Sequence, residues 1–141
     1  MTNDDPQSLG PKMFAISLVG SLVLISMGIL FSFDHEVAAQ GYGISLSGGA
    51  DNAWITSAAL RDLAFGCLTL IFALLRDRRA VGLCLLCGTI IPAGDAVVVL
   101  RNSPQPWAFL PLHLGGALVC LVLACLLIYP CVRINSGSGR T

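Results

Sequence analysis

The sequence predicts an all-α protein, a single bundle of four transmembrane helices. Three observations carry this. Of the 141 residues, 55% are hydrophobic and only 11% charged, with a mean hydropathy of +0.81; soluble chains carry about 25% charged and about 45–50% apolar residues. Four stretches stay apolar for about 20 residues, the length a helix needs to cross about 30 Å of hydrocarbon. Those stretches are too long for strands and do not alternate with period two. Eight Lys+Arg balance eight Asp+Glu, so no basic excess points to nucleic acid and no acidic tail to a solvating segment.

Taken in order, residues 1–12 read as a disordered cytosolic tail, with Asn3, Asp4, Asp5 and Pro6 ahead of Lys12. The first span runs from about Met13 to Phe33 and holds no charge. Asp34 to Ala53 is the only long connection. Its glycines Gly41, Gly43, Gly48 and Gly49 predict an irregular loop at the membrane surface, and Asp34, His35 and Glu36 a solvated cap on the first span. The second span runs from about Trp54 to Leu75, and the charged turn Arg76 to Arg79 leads into the third, about Ala80 to Leu100. Asn102 to Pro106 is a Pro-containing turn before the fourth span, about Phe109 to Tyr129. Trp54, Trp107 and Tyr129 fall at span ends, as an interfacial aromatic belt does. Residues 130–141, including Ser136, Gly137, Ser138 and Gly139, read as a second cytosolic tail.

Lys and Arg placement predicts the orientation. With the N-terminus in the cytosol, Lys12, Arg76, Arg78, Arg79, Arg133 and Arg140 all lie on the cytosolic side, and only Arg101 lies opposite. The positive-inside rule therefore predicts a multi-pass protein with both termini cytosolic. Val37 and Ala39 have signal-peptidase spacing, but the apolar run before them exceeds the 7–15 residues, roughly, of a signal h-region.

Arg61 carries the remaining charge and lies inside the second span with Asp62. Asp95 lies near the end of the third span and His113 near the start of the fourth. Consecutive spans alternate direction, so all four fall at one depth, roughly 5–10 Å below the hydrocarbon edge at a rise of about 1.5 Å per residue. An intramembrane charge costs at least about 2.5–3.5 kcal/mol unless paired or hydrated. Small residues share these faces: Ala58 and Gly66 flank Asp62, Gly88 and Pro92 precede Asp95, and Gly116, Ala117 and Cys120 follow His113. Pro92 removes the helical donor to the Gly88 carbonyl and should kink the third span.

The segments Ala59-Leu60-Arg61-Asp62-Leu63-Ala64-Phe65-Gly66, Asp77-Arg78-Arg79-Ala80, Gly94-Asp95-Ala96 and His113-Leu114-Gly115-Gly116-Ala117 resemble a family of small four-span membrane proteins. That family is catalogued as a domain of unknown function and is related to DoxX-like membrane proteins. The resemblance covers Phe14 to Leu127 and implies the four-helix topology and a recurring polar layer, without an activity. Related small fungal membrane proteins include cyclases and isomerases of polyketide and terpenoid pathways, which is an analogy only.

Two carboxylates held by an Arg in a dry site suit general acid–base catalysis, because burial and the guanidinium push the two carboxyl groups apart in acidity. The Asp, Arg, Asp set is similar to that of soluble limonene-type epoxide hydrolases, with no similarity of fold. On this reading Asp62 and Asp95 are acid and base in either order, Arg61 organises them, and His113 relays a proton or bonds the substrate. The partners expected are the lipid bilayer and a lipophilic polyene, terpenoid or polyketide. The reactions expected are epoxide opening, cyclisation or isomerisation, which need no cofactor.

Other readings use the same residues. An Arg61 pair with Asp62 or Asp95 can simply lock helix register. A transport path needs polar stations through the full thickness, whereas the other halves of the spans offer Ser17, Ser21, Thr69 and Cys84. Four short helices enclose little volume alone, which leaves homo-oligomerisation open. Cys84 and Cys87 form a CxxC pair on the opposite side from the charged layer, and Cys67, Cys120, Cys125 and Cys131 are scattered, as membrane-buried Cys acting as a small apolar residue would be. With only His35 and His113 available, no zinc spacing exists.

Overall fold

The computed structural model describes residues 8–46 and 49–137. The described residues form six helices: α1 (Pro11–Phe33), α2 (His35–Tyr42), α3 (Gly49–Leu74), α4 (Arg78–Gly88), α5 (Ile90–Asn102) and α6 (Pro106–Gly137). All four expected spans are present, as α1, α3 from Asp51, α4 with α5, and α6 to Tyr129. The described residues contain no strand, only an isolated bridge between Ser8 and Asp77.

The connection after α1 departs from the expected irregular loop. Asp34 ends α1, its N–H bonding the Leu30 carbonyl, and its side chain accepts from the Val37 N–H to start α2. Gly43 ends α2 in the left-handed conformation at φ 63°, where a Cβ would run into the Phe109 ring. Gly41 thus lies within α2, Gly43 ends it and Gly49 begins α3, so these three belong to helices and their ends rather than to an irregular loop. At the other end of the chain α6 continues to Gly137, so Ser136 and Gly137 lie in its last turn. Residues 1–7 and 138–141 of the expected tails, and Gly48 of the expected loop, lie outside the described residues.

Helices α1 and α3 form one closely packed pair, and α4 and α5 pack on α6 as a second. Small residues permit both. Ser17, Ser21 and Gly28 of α1 are buried opposite Ala59, Gly66 and Ala73 of α3. A Cβ on Gly28 would lie 2.7 Å from the Leu63 nitrogen and 2.8 Å from the Ala59 oxygen. In the second pair, Gly82 of α4 lies against Leu127 and Ile128 of α6. Lipid tails are as apolar as leucine, so backbone proximity of this kind, rather than burial of large side chains, holds such helices together. Large apolar side chains instead point outward, among them Val19, Leu22, Leu112 and Leu118, as expected of a bundle bounded by hydrocarbon. Trp107 and Tyr129 are exposed at span ends, whereas Trp54 turns inward with its ring 5.3 Å edge-on from Tyr42.

Two prolines leave carbonyls without helical donors. Pro92 has no N–H for Gly88, and the third span is interrupted at Thr89, between α4 and α5. Pro130 has none for Leu126, and there the Arg78 guanidinium substitutes, donating to the Leu126 and Leu127 carbonyls at 3.0 and 3.1 Å. The turn from α3 to α4 is closed by the N-terminal segment. Arg76 adopts φ 58°, its carbonyl accepts from the Leu9 N–H at 2.9 Å, and its guanidinium covers the Phe14 ring at 3.8 Å.

The packing yields a paired test. Gly28→Leu forces a side chain into α3 backbone and should destabilise the protein by about 1–3 kcal/mol. Gly20→Leu on the same helix, where nothing lies within 4 Å, should leave it unchanged. Thermal unfolding in detergent or nanodiscs checks the pair, and equal midpoints would exclude the close α1–α3 contact.

Candidate functional site

Arg61 and Asp62 sit one residue apart on α3, so their side chains diverge around the helix and meet only because the long guanidinium folds back. Arg61 Nε donates to Asp62 Oδ1 at 3.1 Å, and Nη2 lies 3.1 Å from the same oxygen. The other edge of the guanidinium faces α5 and grips Asp95 with two parallel bonds, Nη1 to Oδ1 at 3.2 Å and Nη2 to Oδ2 at 3.1 Å. Such a bidentate fork is the strongest geometry available to this pair. Asp62 and Asp95 side chains are 13% and 12% exposed and Arg61 is 37% exposed. One guanidinium balances one of two carboxylates, so a further proton in the layer makes it neutral, the state that a low-dielectric site favours.

The interruption at Thr89 opens space beside this cluster. A cavity of about 210 Å³ is lined by Asp62, Asp95 and His113, together with Gly88, Pro92, Gly116 and apolar residues of α1 that include Leu24 and Met27. Three of the four expected site residues therefore face one hollow, and Arg61 braces two of them from behind. The small residues read from sequence beside Asp95 and His113 are the ones that make room.

The residues are not equivalent. Both oxygens of Asp95 are occupied by Arg61, whereas Asp62 Oδ2 receives no hydrogen bond from the described residues. His113 Nε2 is buried and has no hydrogen-bond partner among the described residues. An unsatisfied buried polar atom costs about 1–3 kcal/mol, so it is held there by packing or filled by a ligand or water. Packing against His113 comes from Tyr42, whose ring is stacked on the imidazole at a centroid distance of 5.1 Å and 26° between planes.

Tyr42 is the site residue that the sequence reading missed. It is buried at the last position of α2, lines the cavity, and places its phenol beside Arg61, Asp62 and Asp95. A signal was present: Ala38, Ala39 and Tyr42 have helical i, i+3, i+4 spacing between an Asp34 cap and a Gly43 stop. Burial, reinforced by the Asp95 and Asp62 carboxylates, pushes the phenol well above its ordinary value of 10.

Other candidates fall elsewhere. His35 bonds Thr56 at 2.9 Å, away from the cavity lining. Cys84 is buried against the Thr69 hydroxyl at 3.3 Å, and Cys67, Cys84, Cys87, Cys120 and Cys125 are all free thiols. Among the described residues no three His, Cys, Asp or Glu side chains are placed to hold a metal ion.

A titration tests the Tyr42 environment. In Tyr129→Phe, which leaves Tyr42 as the sole tyrosine, tyrosinate absorbance should not develop through the ordinary range around 10 but only above it. Because the folded value lies above the unfolded one, this phenol's contribution to stability is complete below pH 10 and is lost as pH climbs beyond it. A midpoint at 10 would place the phenol in solvent.

Comparison with known proteins adds a family without an activity. Neither a curated protein nor a solved structure matches the chain. The family described as Domain of unknown function (DUF4267) matches residues 21–127, a stretch that holds all four site residues and Tyr42. The chain belongs to this family of proteins of unknown function, here with four helices long and apolar enough for a multi-pass membrane protein.

Proposed function

We propose that this protein is a membrane enzyme that performs acid–base chemistry, by epoxide opening, cyclisation or isomerisation, on a lipophilic polyketide- or terpenoid-like small molecule. One observation carries the reading: Asp62 and His113 line the same apolar cavity, and neither Asp62 Oδ2 nor His113 Nε2 has a hydrogen-bond partner among the described residues. Arg61 and Asp95 then form the fixed part of the site. The bidentate pair anchors the guanidinium, which holds Asp62 by one oxygen and leaves the other for substrate. Asp62 takes a proton from a substrate carbon or from attacking water, and His113 gives one to the oxygen on which charge develops. Each turnover moves one proton onto Asp62 and one off His113, and return of that proton resets the site. Asp95 differs from Asp62 in this scheme: it orients rather than transfers. The kinship with DoxX-like membrane proteins implied by the sequence resemblance belongs to the same proposal.

Turnover of a panel of lipophilic epoxides and polyenes by membranes containing the protein tests the scheme. Asp62→Asn should lower the rate by about 10²–10⁴-fold at an unchanged protein level, and full activity in that variant would sink the catalytic assignment.

A second reading is favoured by the Arg61–Asp95 fork, which ties α3 to α5 and would serve as a register lock. Replacing a buried ion pair by apolar residues of similar volume is often neutral or stabilising, whereas removing one partner is not. The triple variant Arg61→Met, Asp62→Asn and Asp95→Leu, which leaves no carboxylate without its guanidinium, should therefore keep a normal thermal midpoint. Loss of turnover in that stable protein supports the enzyme; retained turnover leaves the pair a lock.

The proposed topology has both termini in the cytosol. Glycosylation acceptors placed between Gly43 and Gly49 should be modified, and acceptors after Gly137 should not. The reverse pattern would put the cavity in the cytosolic leaflet.

A further inference from the structure

The cavity beside the ion cluster offers more acceptors than donors. Asp62 Oδ2 and His113 Nε2 have no hydrogen-bond partner among the described residues, and the imidazole nitrogen accepts whenever its ring proton is on Nδ1. Gly88, whose carbonyl lacks its helical donor because of Pro92, belongs to the same lining. Arg61 directs Nε, Nη1 and Nη2 at the two carboxylates. The donors of the lining itself are the Tyr42 hydroxyl, which lies beside Arg61 and both carboxylates, and the weak Cys120 thiol. A ligand that fits this surface brings donors.

Charge points the same way. With both carboxyl groups ionised, Asp62, Asp95 and Arg61 sum to one negative charge, and among the described residues no Lys or further Arg lines the cavity. Tyr42 registers that excess. Burial raises its phenol most, and next come the Asp95 and Asp62 carboxylates, ahead of the opposing pull of Arg61. A positively charged ligand would neutralise the layer as an added proton does. The rings of Phe31, Phe65 and Tyr42 line the same space, and aromatic faces attract a nearby cation.

Size limits the ligand. A cavity of roughly 150 Å³ holds benzene, so one of about 210 Å³ takes a six-membered ring with a short arm.

We propose that this cavity is a cation site whose ligand is a small lipophilic amine, bound as the ammonium. An ammonium carries several donors and no acceptor. It donates to Asp62 Oδ2 and His113 Nε2, cancels the excess charge, and leaves its apolar body among the three rings. The inference rests on the reading of the cavity as a ligand site and names the charge that the site selects. In epoxide opening or cyclisation the positive charge that develops on the substrate would occupy the place of the ammonium, so the amine would also inhibit turnover.

Equilibrium dialysis of radiolabelled benzylamine and benzyl alcohol, which match in size, tests this on the full-length protein in phosphatidylcholine nanodiscs, with empty nanodiscs as the blank. At pH 7 the amine is protonated and the alcohol is neutral. Benzylamine should saturate at one molecule per protein and bind about tenfold or more tightly than the alcohol. Asp62→Asn should bring the amine down to the affinity of the alcohol. Gly116→Leu should abolish saturable binding of both, because a Cβ there meets only Pro92, at 3.5 Å, and the rest of the side chain fills the cavity. Equal affinities in the unsubstituted protein, an amine preference that survives in Asp62→Asn, or amine binding unchanged in Gly116→Leu overturns the inference. If Asp62→Asn fails to fold, the ratio in the unsubstituted protein and Gly116→Leu decide. Amine binding without turnover of any epoxide or polyene removes the enzyme and keeps the cation site; turnover without an amine preference removes the cation site alone.

Discussion

Charge in hydrocarbon is the constraint on which the rest of this structure depends. Arg61, Asp62 and Asp95 each cost several kcal/mol if left alone in a bilayer, and one guanidinium shared between two carboxylates is the arrangement that makes them tolerable together. That sharing has geometric consequences. The guanidinium must face α5 with one edge and its own helix with the other, which fixes the rotation of α3. Asp95 must stand at the same depth, which fixes the register of α5. The α2 segment closes the layer by laying Tyr42 over His113 and the ion cluster.

Room for a cavity next to that cluster comes from residues that contribute little or no side chain. Gly88, Pro92 and Gly116 line it, and Gly28 and Gly66 let α1 and α3 approach closely enough to form its other wall. Bundles in lipid are held by backbone proximity, so the same glycines that provide cohesion also decide where space remains. Cohesion and vacancy are here two results of one choice of residue.

Most of this architecture was legible in the sequence. Length and hydropathy located the four spans, because the bilayer imposes a length on any helix that crosses it. The rarity of charge located Arg61, Asp62 and Asp95, and the alternation of span direction brought them to one depth with His113. Two things were not legible. The different bonding of Asp62 and Asp95 depends on which oxygens the guanidinium reaches, a side-chain property that spacing does not encode. Helix α2 is hidden because its glycines suggest an irregular loop, although Gly41 is helical and Gly43 is a helix stop packed on Phe109. Short helices without a hydropathy signal have to be found from their caps, and the Asp34 cap was present.

The interruption at Thr89 has a mechanical meaning. The donor missing from the Gly88 carbonyl is missing for a covalent reason, the ring of Pro92, so neither pH nor temperature nor any ligand can restore that bond. The third span is therefore permanently two rods joined by a soft link. The inner rod, α4, is bound to α6 through Gly82 and Arg78, and the outer rod, α5, carries Asp95. Both rods pack on α6, so the link lets α5 take its own angle on that helix, and sets the position of Asp95 independently of the direction of α4.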